Sequence, residues 1–266
     1  MYKSYVRPLL EYGSEAWCGI NQFENDKLEL LNKRAARIIS GAICRARTEL
    51  VFEELDWVSL QERRDHKVLI LFHKMVHHKA PRYLVDLVPK TVGEQHDHNL
   101  RNANDFHPPD ATTESYDNSF LSKAVRLWNE VDVNIRNNPD PLAFKNSLNK
   151  QILEHNPYLS YGTRKENIIM AKLRMNCSDL RGHLAVLNII PNSTCRCGEN
   201  IENTVHYFMT CPLYRNARTT LHNSIAPLTS FTVRKLLYGD SKLTCEQNEL
   251  IFRSTISYIN ATSRFS

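Results

Sequence analysis

The chain has 266 residues, 42% of them hydrophobic, which is enough for one large domain or two smaller ones, and we expect two. Its 34 Lys and Arg against 29 Asp and Glu give a formal charge of +5, which permits an anionic partner without requiring one. The longest apolar run, around Val68 to Phe72, is too short to span a bilayer, so no membrane partner is expected. With only 8 glycines and 11 prolines, turns are scarce, which favours long helices and a mainly α fold.

Residues 1–90 are predicted to form a helical segment. The first 19 residues are rich in aromatic and aliphatic side chains, which is unusual at a chain terminus, so we expect the chain to be a piece of something longer. Apolar periodicity predicts helices from Asn25 to Gly41, over 49–55, and from a cap at Ser59 to about His78.

Two histidines on the long predicted helix, His73 and His77, lie one helical turn apart. They do not complete the H-E-x-x-H pattern of zinc hydrolases, because Lys74 follows His73 where that pattern needs Glu. We therefore interpret both as surface histidines.

Residues 91–118 are polar and have no sustained period, so they are predicted to form a long loop or an extended surface segment. Residues 119–155 are predicted to form a helical pair that packs on the first segment, and Asp140 with Pro141 is expected to begin the second helix of the pair. The apolar stripe of the first helix comprises Leu121, Ala124, Trp128, Val131 and Ile135. A boundary is expected within 156–162.

Residues 163–266 are predicted to be a small helical module. Thr163 and Glu166 have the spacing of a capping box, and Thr244 and Gln247 repeat it ahead of the last predicted helix, which should reach about Ala261. Further helices are expected over 212–222 and 232–237.

Within that module, residues 195–211 contain four metal-ligand side chains, Cys195, Cys197, His206 and Cys211. Three thiols and one imidazole are a complete tetrahedral set for one zinc ion, which leaves no position open for water or substrate and therefore predicts a structural site. Ordinary buried cysteines and a surface histidine are the alternative, but four ligands within seventeen residues favour the metal.

The spacing of these ligands also predicts their local backbone. A single residue separates the first two cysteines, so they should lie on a sharp turn, for which Gly198 can supply a positive φ. His206 and Cys211 are five residues apart, which is about 140° around a regular helix, so one such helix could not direct both at the same ion. We expect His206 to leave one short helix and Cys211 to precede the next, which Pro212 would begin.

The remaining cysteines, Cys18, Cys44, Cys177 and Cys245, are most simply small core residues. An odd total of seven argues against a disulfide framework and for a reducing, intracellular compartment.

No catalytic residues are predicted. The chain has no adjacent aspartates for a pair of magnesium ions, no glycine-rich phosphate loop and no G-x-S-x-G elbow. The chain is therefore not expected to be an enzyme on its own.

Two blocks of sequence carry a resemblance to a known family. The N-terminal block includes YKSYVRPLLEYGSEAW, LELLNKRAARII, ELDWVSLQERR, HNLRNANDF and SFLSKAVRLWNEV, and it resembles the region that follows the polymerase core in LINE-type, non-LTR retrotransposon reverse transcriptases. The second block, AKLRMNC with SDLRGHL and CRCGENIENTVHYFMTCPLYRNAR, is similar to the C-terminal zinc-binding segment of the same proteins. Both occur in the expected order, from Tyr2 to about Leu221.

The resemblance implies a non-catalytic C-terminal region, found in nucleus and cytoplasm, that helps a reverse transcriptase hold RNA and DNA. Basic and aromatic side chains near the predicted zinc site are the expected nucleic-acid contacts. They are Arg196, Arg215, Arg218, Tyr207, Lys172 and Arg174. The alternative is a helical protein-interaction module with a purely structural zinc, whose partner would be the missing polymerase domain or another protein.

Overall fold

The structure, a computed structural model, describes residues 2–43, 45–95, 103–110, 112–150 and 161–265. Within these ranges the fold is mainly α and contains no strand, only the isolated bridges Thr91 to Phe106 and Thr194 to Ile201. None of the described helices is both long and apolar enough to cross a membrane. Residues 156–160 of the predicted boundary region 156–162, and Cys44, lie outside the described residues.

The chain divides into two compact units, one formed by 1–35 and 58–154 and the other by 36–57 and 155–266. The first unit contains a π-helical segment Tyr2–Val6 and the following α-helices: α1 (Arg7–Glu11), α2 (Gln22–Ser40), α4 (Leu60–Val76), α5 (Arg82–Val85), α6 (Val92–Gln95), α7 (Glu114–Asp117), α8 (Phe120–Glu130), α9 (Val133–Arg136) and α10 (Pro141–Lys150). Only the part of α2 up to Ala35 belongs to this unit. The second unit contains α3 (Thr48–Leu55), α11 (Arg164–Arg174), α12 (Arg181–Val186), a π-helical segment His206–Thr210, a 3-10 turn Pro212–Tyr214, α13 (Arg215–Ile225), α14 (Val233–Tyr238) and α15 (Cys245–Thr262).

This division corrects the predicted continuous segment 1–90. Residues 36–57 group with the second unit because their helix α3 is held there by a buried ion pair between Glu54 and Arg174. Ala36 and Val51 also pack with Met175 in one apolar cluster. Contacts so distant in sequence leave no mark in local periodicity.

Aromatic side chains from α4, α8 and α10 form the core of the first unit. Phe72 meets Trp128 edge to face at 5.4 Å, and Phe144 is fully buried beside them. The predicted stripe is confirmed: Ala124 and Trp128 are buried, and Leu121, Val131 and Ile135 pack against the same core. The helix itself ends at Glu130, because Val131 adopts an extended backbone with ψ 141°.

Several helix ends follow the predicted capping chemistry. Thr163 and Thr244 both form complete capping boxes, at the starts of α11 and α15. Both carboxylate oxygens of Asp140 accept hydrogen bonds from the first turn of α10, which begins at Pro141. These ends are set by residues two or three positions apart, which explains why the sequence alone predicts them.

His73 is not a surface residue, which corrects that part of the sequence interpretation. Its side chain is fully buried, stacks on Phe144 at 4.2 Å, and its Nε2 lies 2.8 Å from the Asn138 carbonyl oxygen. His77 Nε2 lies 2.9 Å from the Arg136 carbonyl oxygen. The two imidazoles therefore connect the C-terminal end of α4 to the last residue of α9 and to the segment that follows α9.

Burial lowers the pKa of His73, and this sets an expected pH dependence. Because an unfolded histidine has a pKa of about 6.5, the unfolded state takes up a proton at a pH where folded His73 remains neutral. The free energy of unfolding should therefore fall as the pH drops below about 6.5. Urea titrations between pH 7 and pH 5 should show a shallower decline for His73→Phe; an unchanged slope would contradict this role.

Candidate metal centre

A sharp turn at 195–198 carries the first two cysteines. The isolated bridge from Thr194 to Ile201 closes the loop, and the Cys195 amide donates to the Asn200 carbonyl at 2.8 Å. The Gly198 amide donates to the Cys195 carbonyl at 2.9 Å, and Gly198 adopts a φ of +82°. The predicted turn, and the positive φ at its glycine, are confirmed.

A π-helical segment brings the other two ligands, which are five residues apart, to the same side of the backbone. The Cys211 amide donates to the carbonyl of His206, five residues earlier, at 2.8 Å. Because a π turn closes over five residues and not four, it brings His206 and Cys211 to the same side, which a regular α-helix does not. The structure thus agrees with the prediction that His206 lies on one short helix and Cys211 just ahead of the next, which Pro212 begins; the π-helical form of the first was not predicted.

The four ligand atoms lie within 4.8 Å of one another. The Sγ atoms of Cys195 and Cys211 are 3.7 Å apart, and Cys197 Sγ is 3.3 Å from His206 Nε2. Zn–S bonds of about 2.3 Å in a tetrahedron place two sulfurs about 3.8 Å apart, so the observed sulfur pair has the separation that a shared ion needs. The Cys₃His cluster could therefore hold a metal ion.

Two neighbouring groups orient the ligands. Thr210 Oγ1 lies 3.0 Å from His206 Nδ1, so the other ring nitrogen, Nε2, faces the thiols. Arg218 donates from Nη1 to the Cys211 carbonyl at 2.8 Å and thereby ties the last ligand to α13. A hydrogen bond to the second ring nitrogen is the usual means of fixing a metal-binding histidine.

The three thiols differ in pKa in the metal-free cluster. Burial raises the pKa of Cys211 to about 12 and also raises the pKa of Cys195. Burial acts in the same direction on Cys197, but the Glu199 amide and the neighbouring thiols outweigh it, so the pKa of Cys197 is lowered. Two of the three thiols would keep their protons at neutral pH, so binding a metal ion must displace protons from this cluster.

An acidic side chain lies beside the cluster. Glu202 is 1% exposed, and its Oε1 is 4.0 Å from Cys195 Sγ. Burial acts to raise the pKa of Glu202, but hydrogen bonds from Arg264 and from the Arg181 amide outweigh it, so the pKa is lowered. Glu202 therefore carries its negative charge next to the thiols.

Two of the six predicted nucleic-acid contacts are exposed. Arg196 lies between the first two ligands, and Arg215 is the first residue of α13. Arg218 and Lys172 are partly buried, and each is already engaged, Arg218 with the Cys211 carbonyl and Lys172 with Asp179 at 3.3 Å.

The other two predicted contacts, Tyr207 and Arg174, are corrected by their burial. Tyr207 is fully buried, its hydroxyl lies 2.7 Å from Thr262 Oγ1, and its ring packs against Tyr258, so it cannot stack on a base. The Arg174 guanidinium is used internally by Glu54 and is not available to a phosphate.

The sequence did not predict three residues that the structure places at or beside the cluster: Glu202, Thr210 and Arg264. Thr210 lies four residues after His206, and on a helix this spacing would have predicted that their side chains are neighbours. Arg264 meets Glu202 across 62 residues, and no local pattern connects them.

Outside the cluster, Cys18 and Cys177 are buried as expected. Cys245, at the start of α15, is exposed, so the prediction that it is a core residue is wrong.

Comparisons with protein families, with curated proteins and with solved structures find no match to this chain. Inferences about function therefore rest on the cluster, its surroundings and the sequence resemblance.

Proposed function

We propose that the Cys₃His cluster holds one structural Zn²⁺ and that the chain is a non-catalytic, nucleic-acid-binding C-terminal region of a LINE-type reverse transcriptase. The observation that carries the metal assignment is the convergence of Cys195, Cys197, His206 and Cys211 to within 4.8 Å. A nuclear and cytoplasmic location accompanies the retroelement assignment.

The donor set selects the metal. Thiolates are soft ligands, and three of them with one imidazole suit zinc better than magnesium or calcium, which prefer oxygen. All four tetrahedral positions come from the protein, so the ion would support structure and would not activate water. Elemental analysis of protein purified without chelator should give one zinc per chain.

Nucleic-acid binding is supported by the exposed arginines beside the cluster. Arg196 projects from the turn that carries two ligands, and Arg215 begins the helix that follows the last ligand. Guanidinium groups form bidentate hydrogen bonds with phosphate, and a rigid metal-bound turn would present them at low entropic cost. The resemblance of 195–218 to the zinc-binding segment of reverse transcriptases supports the same assignment.

Replacing both Arg196 and Arg215 by Ala should weaken binding to single-stranded RNA. Each phosphate contact releases counterions from the nucleic acid on binding. The double variant lacks two such contacts, so its plot of log K against log salt concentration should be shallower by about 1 to 2. Gel-shift titrations at salt concentrations from about 50 to about 200 mM measure both the RNA affinity and this slope.

Arg253→Ala is the matched control, because Arg253 is exposed on α15 and its charge is paired with Glu249. Like each of the two test substitutions, it removes one positive charge, but it should leave RNA affinity nearly unchanged. Absence of RNA binding at low salt by the zinc-loaded wild type would overturn the nucleic-acid part of the proposal, and equal losses in the control would show a nonspecific charge effect.

A protein-interaction module is the second candidate, and exposed apolar side chains favour it. Val186 is 82% exposed at the end of α12, while Val205 and Leu213, next to metal ligands, are each 56% exposed. If this candidate is correct, Val205→Asp with Leu213→Asp should abolish association with a separately expressed polymerase region, and RNA affinity should not respond to Arg196→Ala.

A further inference from the structure

A polar cavity of about 440 Å³ lies where α14 ends and the loop 239–244 leads into α15. Its volume is within the range of about 300–1,000 Å³ that is usual for small-molecule sites. The wall includes Arg234, Lys235 and Tyr238 from α14 and Ser241 from the loop. All of the lining residues belong to the second unit, and none of them is a proposed metal ligand.

Hydrogen bonds fix the loop that borders this cavity. Asn248, which is 3% exposed, accepts from the Asp240 amide at 2.8 Å and donates to the Asp240 carbonyl at 3.0 Å. Gly239 adopts a φ of +75°, and a Cβ atom there would lie 2.5 Å from Asn248 Oδ1. The close approach of the loop to Asn248 therefore requires glycine, and the cavity keeps its shape before a ligand binds.

The two cations of the wall differ in what they bind. Lys235 Nζ is 2.9 Å from Asp240 Oδ2 and also donates to the hydroxyls of Thr229 and Ser230, at 2.6 Å and 2.8 Å. Arg234 is exposed, and no hydrogen bond or ion pair joins it to another described residue. Because Asp240 balances Lys235, the charge of Arg234 remains unmatched at the cavity and favours an anionic ligand.

An aromatic ring lies one helical turn beyond this guanidinium. Tyr238 follows Arg234 by four residues on α14, so their Cβ atoms are about 5–6 Å apart on one face of the helix. Tyr238 is 47% exposed, and its hydroxyl donates to the Arg174 carbonyl at 3.2 Å, which holds the ring at the cavity wall. An exposed ring is a stacking platform for a nucleobase, and a guanidinium binds phosphate through paired hydrogen bonds.

We infer that this cavity binds a nucleoside monophosphate group, with its base stacked on Tyr238 and its phosphate bound by Arg234. A free nucleotide and one nucleotide of a single strand offer the same chemistry. The strand as a source rests on the proposed nucleic-acid binding, whereas the free nucleotide does not. Arg196 and Arg215 do not line the cavity, so this is a second site.

Adenosine 5′-monophosphate tests the site on the full, zinc-loaded chain. Titration to about 10 mM should give saturable NMR shifts of the Gly239 and Ser241 amides, with a Kd of about 1 mM for a ligand held by one stack and one ion pair. Adenosine and ribose 5-phosphate each lack one of these contacts and should bind about 10-fold more weakly. Inorganic phosphate that binds as tightly as the nucleotide would overturn the stacking and with it the inference.

Two pairs of variants separate the ring from the charge. Tyr238→Ala should weaken nucleotide binding by about 5- to 150-fold, whereas Tyr238→Phe keeps the ring, loses only the bond to the Arg174 carbonyl, and should bind as the wild type does. Arg234→Met should weaken binding by about 10-fold. Arg253→Met removes one exposed positive charge from α15 and should have no effect. Tyr238→Phe as weak as Tyr238→Ala, or equal losses in the two arginine variants, would contradict the assignment.

Single-stranded RNA distinguishes the two sources. RNA that shifts the Gly239 and Ser241 amides and displaces the nucleotide assigns the cavity to a strand, and RNA that binds without shifting them assigns it to a free nucleotide. If neither ligand shifts these amides while RNA still binds the chain, this inference alone fails. If the nucleotide binds and RNA does not, the proposed nucleic-acid function alone fails.

Discussion

Replacing Cys211 by Ser should abolish stable metal binding and lower the free energy of unfolding of the second unit by more than about 4 kcal/mol, a loss seen when a structural metal is removed. Cys211 is fully buried, its sulfur is 3.7 Å from that of Cys195, and its carbonyl is bound by Arg218. A hydroxyl at this position is a poor zinc ligand and would leave a buried polar group without its metal.

The effect should spread because the ligands are continuous with the core of the second unit. Tyr207 and Phe208 follow His206 directly, and both are fully buried. The Tyr258 hydroxyl donates to the Tyr207 carbonyl at 2.6 Å, and the two rings meet edge to face at 5.2 Å. Loss of the proposed ion should release the π-helical segment that places these two aromatic residues against α15.

Metal content and near-ultraviolet circular dichroism measure the two parts of this result. Addition of a strong chelator to the wild type should reproduce the dichroism of Cys211→Ser. Cys245→Ser is the control, because Cys245 is an exposed thiol outside the cluster, and it should retain one metal per chain. Cys211→Ser that keeps both full metal content and wild-type stability would contradict the structural assignment.

The parts of the fold that sequence could predict are those fixed by near neighbours. Thr163 with Glu166 and Thr244 with Gln247 are three residues apart, and each pair closes its own hydrogen-bonded box. The four ligands also lie close in sequence, and Gly198 adopts the backbone that their spacing requires. In each case the chemistry needs no knowledge of how distant segments pack.

The errors arise where a side chain has two plausible environments. Tyr207 and His73 are amphipathic, so periodicity allows either face, and tertiary packing places both in cores. Arg174 belongs to a basic helix in the sequence, yet its face meets Glu54, which is 120 residues away along the chain. The π-helical segment was also not predicted, because no local signal distinguishes one π turn from a break between helices.

Replacement of Arg174 is expected to have the second large effect on stability. Arg174→Met should lower the free energy of unfolding by about 3–5 kcal/mol, because it leaves Glu54 as an unpaired charge in a buried site. The two side chains are 2% and 10% exposed, and Arg174 Nε donates to the carboxylate at 2.8 Å and 3.0 Å. Urea denaturation followed by circular dichroism measures the loss.

The double variant Arg174→Met with Glu54→Leu should recover most of that stability, because two apolar side chains of similar size replace the ion pair. Lys172→Met is the control on the same helix: its partner Asp179 is 52% exposed at the side chain, so the change should cost no more than about 1 kcal/mol. The same variants test the corrected role of Arg174. If Arg174 contacted phosphate instead of Glu54, Arg174→Met would weaken RNA binding without loss of stability, whereas the buried pair predicts lost stability that Glu54→Leu restores.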